Sequence, residues 1–63
     1  MQVEIVGHDL LAIDANLEVL PRIGESFLGV TRHGEEVSGT VRDVEHSYNA
    51  ARGEHSIRVY LKP

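Results

Sequence analysis

Apolar and polar positions alternate over most of this chain, and a period of two is the pattern of a half-buried strand. The longest stretch is residues 10–20, LLAIDANLEVL. Leu11, Ile13, Ala15, Leu17 and Val19 stand on one face, and Ala12, Asp14, Asn16 and Glu18 on the other. A helical alternative has Asp9 as N-cap and Leu10, Ile13, Leu17 and Leu20 on one side. Asp14 and Asn16 are poor helix formers, which favours the strand. MQVEIV precedes it, with Val3 and Ile5 on one face. A hairpin loop at Gly7-His8-Asp9 sets Val6 opposite Leu10, Ile5 opposite Leu11 and Val3 opposite Ile13, so the apolar faces match.

Pro21 to Gly24 breaks the pattern, because proline cannot donate to a ladder and glycine favours a turn. A third strand follows in SFLGVTR, with Phe27 in the core, and a fourth runs from about Glu36 to Tyr48. A two-residue turn at His33-Gly34 pairs Val30 with Val37 and Arg32 with Glu35. Gly39 marks a bend. Val41 and Val44 are three apart, so a bulge near Arg42-Asp43 is needed to bring both inward. The loop Asn49–Glu54 then joins the fourth strand to HSIRVYLK. Centred on that loop, Val44 faces Val59, His46 faces Ile57, Glu45 faces Arg58, Asp43 faces Tyr60 and Tyr48 faces His55. Val44, Ile57 and Val59 point to the core, while Glu45 and Arg58 form a charge pair outside.

These segments predict one all-β domain over residues 1–63. Its five strands form an antiparallel meander that curls to bury its single apolar face. Pro-Arg-Ile-Gly-Glu at 21–25, Gly-Thr-Val-Arg-Asp-Val at 39–44 and Ile-Arg-Val-Tyr-Leu at 57–61 follow one another in an order that resembles SH3-like small barrels. The resemblance covers roughly residues 20–62, includes the KOW and Tudor kinds, and extends to short barrel proteins of bacteria and phages. It implies a small SH3-like barrel acting by binding. The chain departs from peptide-binding SH3 domains in having no tryptophan, and from nucleic-acid-binding barrels in its charge.

That charge is -4, from six Lys/Arg and ten Asp/Glu. Residues 1–20 hold Glu4, Asp9, Asp14 and Glu18 and no basic residue, so the acidic excess lies in the first third. No basic footprint for nucleic acid is present. With no cysteine, disulfides and thiolate metal sites are excluded, and the composition fits a reducing, cytoplasmic setting. No apolar run has the length of a membrane span or the form of a signal peptide. Sixty-three residues give a small core that benefits from a partner.

The candidate chemistry is sparse. His8 and His33 fall at hairpin tips as exposed turn residues. His46 and His55 are diagonal neighbours on one face with Tyr48 opposite His55. They read as a polar cluster at one end of the barrel, or as two ligands of a metal site. Tyr60 stands outside near Arg58 and Arg42, a candidate interaction surface. No nucleophile elbow or phosphate loop appears, and no cofactor is implied. The reading is therefore a non-enzymatic protein–protein interaction module, of the kind carried as a phage or mobile-element accessory, acting on a protein partner or on its own copy as a homodimer. The alternatives are a nucleic-acid-associated SH3-like barrel, an acidic inhibitor that mimics nucleic acid through Glu4, Asp9, Asp14 and Glu18, and a metal- or ligand-binding barrel using His46 and His55.

Overall fold

A computed structural model describes all of residues 1–63. It is all-β, with β1 (Gln2–Val6), β2 (Ala12–Asn16), β3 (Ser26–Val30), β4 (Glu36–Asn49) and β5 (Glu54–Lys62). No helix is long and apolar enough to cross a membrane. The strands form one sheet in the order β2-β1-β5-β4-β3. This corrects the expected meander. β1 lies inside the sheet and runs parallel to β5, with Glu4 beside Arg58, Ile5 beside Val59 and Val6 beside Tyr60. The sheet is mixed rather than antiparallel, and the chain crosses from one edge to the other between β2 and β3.

Six side chains are fully buried: Val3 and Ile5 from β1, Val37 and Val41 from β4, Val59 and Leu61 from β5. They belong to the three central strands, where apolar neighbours lie on both sides. Burying each contributes roughly 1.5–3 kcal/mol. Around them pack the half-buried Leu11, Ile13, Ala15, Leu17, Leu20, Phe27, Val44 and Ile57. The sheet curls far enough for Ile13 of β2 to reach over Gly29 of β3. No backbone hydrogen bond joins those two strands, so the expected barrel is not closed.

Two hairpins differ from the expected register, and for the same reason. In each, a three-residue loop follows a closing pair whose first member both donates and accepts. Gly7 N–H donates to Leu11 O at 2.8 Å, and Leu10 N–H donates to Gly7 O at 3.0 Å. Likewise Thr31 N–H donates to Glu35 O at 2.8 Å, and Gly34 N–H to Thr31 O at 3.0 Å. The last loop residue has positive φ in both, 70° at Leu10 and 81° at Gly34. This is a type I turn closed by a left-handed residue. The first hairpin is shifted by two residues, pairing Ile5 with Ile13 and Val3 with Ala15, which keeps the apolar face. The second is shifted by one, pairing Gly29 with Val37 and Val30 with Glu36. In this register Phe27 packs against the core, as expected, while Leu28 and Val30 are exposed.

The strand expected over residues 10–20 is also shorter. Leu17 N–H donates to Met1 O at 2.8 Å and the Met1 amino group donates to Leu17 O at 2.7 Å, and past this pair the chain leaves the ladder. Val19 is accordingly exposed. Before β3, Arg22 N–H donates to Glu25 Oε1 at 2.6 Å. That bond, aided by the Arg22 guanidinium, holds the Glu25 carboxyl below the usual carboxylate range.

The β4–β5 hairpin follows the expected register residue for residue, from Asp43–Tyr60 to Asn49–Glu54. The bulge falls at Arg42, between the Val41–Leu61 and Asp43–Tyr60 pairs, and puts Val41 and Val44 on the same face. β4 runs unbroken through Gly39, where the expected bend becomes a close approach instead. A β-carbon there would collide with the Lys62 carbonyl oxygen.

Candidate functional site

The outer face of the sheet carries an ordered row of charge. Asp14 pairs with Glu4 across β2 and β1, Glu4 lies beside Arg58 of β5, and Arg58 pairs with Glu45 of β4. One cation is thus flanked by carboxylates from both neighbouring strands. Arg58 Nε lies 2.9 Å from Glu4 Oε1, and Nη1 lies 3.9 Å from Glu45 Oε1. The Tyr60 hydroxyl, then Glu4, push the Arg58 guanidinium above its usual value. Tyr60 O–H donates to Glu45 Oε1 at 3.4 Å, which ties the aromatic to the same row.

Sequence reasoning expected the Glu45–Arg58 pair and missed Glu4, the closer partner. The only signal for it was that Glu4 stands on the polar face of its strand. Nothing local places β1 beside β5.

Arg42 completes this surface. The bulge lets its guanidinium lie over the Tyr60 ring, 5.1 Å from the centroid. Tyr60 is half-buried, and a cation over such a surface ring contributes about 0.5–1 kcal/mol. Unlike Arg22, Arg52 and Arg58, Arg42 has no carboxylate within ion-pair distance. A depression of about 240 Å³ opens beside it, bounded by Val6, His8, Leu10, Tyr60 and Lys62. Tyr60, Arg58 and Arg42 are therefore brought together, with cationic and apolar groups at the end of an otherwise acidic face.

The second cluster lies on the far part of the β4–β5 hairpin. Beyond the Glu45–Arg58 pair the two strands pair with each other and with no third strand. His46 and His55 are diagonal neighbours there. Nδ1 of His46 lies 3.0 Å from Nε2 of His55. The ring planes are 13° apart and the centroids 5.2 Å apart. That separation matches the N···N distance plus the two ring radii. The rings meet edge to edge, as an in-line N–H···N hydrogen bond requires. Tyr48 faces His55 across the ladder and is 69 % exposed.

His46, Tyr48 and His55 share a face, as the register implied, but in solvent rather than at the mouth of a barrel. Glu54, the carboxylate of the adjoining loop, lies 3.8 Å from Arg52 instead. No third His, Asp or Glu joins the histidine pair. His8 and His33 sit exposed in their turns.

No family model, curated protein or solved structure matches the chain.

Proposed function

We propose that this protein is a non-catalytic protein-interaction module that binds through the outer face around Tyr60, Arg58 and Arg42. The observation that carries the reading is Arg42, a cation stacked on Tyr60 with no carboxylate partner, beside an open depression. Arginine and tyrosine are the residue types that concentrate binding energy at interfaces. The complementary partner presents an acidic side chain to Arg42 and Lys62 and an apolar one to the depression. The resemblance to small SH3-like barrels points the same way, toward binding rather than catalysis. A nucleic-acid ligand fits less well, because Glu4, Asp14, Asp43 and Glu45 are on the same sheet face and repel phosphate.

Self-association belongs to this reading too. β3 is an edge strand of sequence SFLGV without charge or proline, and Leu28 and Val30 are exposed along it. Such an edge is open to strand pairing. Light scattering over a concentration series tests it: a mass above 7.0 kDa supports a homodimer, and 7.0 kDa throughout excludes one. For a different partner, the protein is used as bait in its native host, alongside Arg42→Ala and Tyr60→Ala. A partner retained by the wild type and lost by both variants supports the face. Equal capture by all three refutes it, as does salt-dependent binding of oligonucleotides.

A further inference from the structure

The histidine pair on the far part of the β4–β5 hairpin owes nothing to the Tyr60 face and has chemistry of its own. Two of the four histidines in the chain lie nitrogen to nitrogen at 3.0 Å, each the other's only side-chain hydrogen-bond partner. The backbone ladder fixes where they stand, since His46 pairs with Ile57 and Tyr48 with His55. Only the ring torsions of two exposed side chains are free. Imidazole nitrogens bind divalent metals at about 2.0–2.1 Å. Two such bonds meeting near a right angle put the nitrogens about 3 Å apart, whereas a tetrahedral angle needs a wider spacing. A right angle is the cis arrangement of a square-planar or tetragonal centre, the geometry of copper(II) and nickel(II).

We propose that His46 Nδ1 and His55 Nε2 form a bidentate binding site for copper(II), and more weakly for nickel(II), on the exposed ribbon. The rings now point their shared nitrogens at one another, so each must swing by roughly 45° about its exposed torsions before both lone pairs aim at a common point. The proton held between the rings moves to the remote nitrogen of its own ring through solvent. Two metal–nitrogen bonds form and two aqua ligands leave. The metal keeps its oxidation state and its remaining waters. Copper(II) stands at the top of the divalent affinity order for such nitrogen ligands.

The site also has a mechanical consequence. A two-stranded ribbon with no third strand is marginal alone. A metal bridging β4 and β5 across the ladder ties its strands together. Binding to the folded form alone raises stability by mass action.

The test is a titration of the full chain with copper(II) chloride in a non-coordinating buffer. It is followed by calorimetry and by electron paramagnetic resonance. The expected result is one ion per chain with nitrogen hyperfine structure, and paramagnetic broadening that removes the His46, Tyr48 and His55 resonances first. Because the two ligands act as one chelate, His46→Ala and His55→Ala should each weaken binding on the order of 10²-fold. The double variant should bind no tighter than either single one, and His8→Ala and His33→Ala should bind like the wild type. All four positions are exposed, and unchanged circular dichroism verifies that each variant is folded. The proposal is overturned if His46→Ala and His55→Ala bind copper(II) like the wild type. Broadening that begins at Met1 or His8 overturns it too. Zinc(II) binding as tight as copper(II) overturns the assignment to copper(II).

Discussion

The β4–β5 hairpin is two structures in one. At its root, Val41, Val59 and Leu61 are fully buried, with β1 alongside β5 and β3 alongside β4. Toward its tip, from Glu45–Arg58 outward, the same ladder continues with the same alternation but almost nothing to bury. Val44 and Ile57 are the last apolar side chains in touch with the core. The ladder pairs through both halves, and its one irregularity, the bulge at Arg42, lies in the root, so regular backbone pairing is not what makes the root the stable half. What differs is the presence of flanking strands. The root is held by burial, and the tip by its attachment to the root. A region held that way can change side chains without unfolding the molecule, which suits the half that carries His46, Tyr48 and His55.

The contrast can be broken most directly at Val59. Val59→Ala leaves a void in the core and should cost about 2 kcal/mol in a urea titration, a large share of the stability of so small a domain. Ile57→Ala, at the boundary, should cost about half as much, because its side chain is only partly buried. Tyr48→Ala, at the tip, should change stability by no more than about 0.5 kcal/mol. A cost for Tyr48→Ala equal to that of Val59→Ala would show the tip to be structural after all. Amide exchange sharpens the same comparison without mutation. Protection should fall from Val59 toward Ser56, because the outer ribbon opens without the core.

The smallest expected effect lies outside the hairpin, in the turn before β3. The folded Glu25 carboxyl titrates below its unfolded value, so its contribution is present at neutral pH and fades as the pH falls through the folded value. Glu25→Gln should flatten that part of the acid-stability curve and leave the contrast between root and tip untouched.

The β4–β5 hairpin was legible because three independent signals agree on one register: alternation, an opposite-charge pair at Glu45 and Arg58, and a loop of turn-forming residues. The bulge at Arg42 was legible from the three-residue spacing of two valines. The other hairpins hid their register in backbone conformation. Gly34 takes the left-handed position at no steric cost, yet His33-Gly34 also reads as a two-residue turn. Leu10 takes the same position at a cost, and as leucine it reads as the start of a strand. The parallel β1–β5 pair has no local signature. Its absence from the sequence reading is why Glu4 was missed as the partner of Arg58. The histidine pair and the position of Tyr60 needed only the last hairpin, so they could be read.

The pairing of β1 with β5 also sets the order in which the chain can assemble. The three antiparallel hairpins each close a short loop and can form early. The parallel ladder joins residues far apart in the chain, and closing it costs about 2 kcal/mol more chain entropy than a hairpin before Ile5 and Val59 meet. Folding should therefore wait on that encounter and be slow for so short a chain. The first hairpin stays loose until β5 receives it, and the interior is sealed only in this last step.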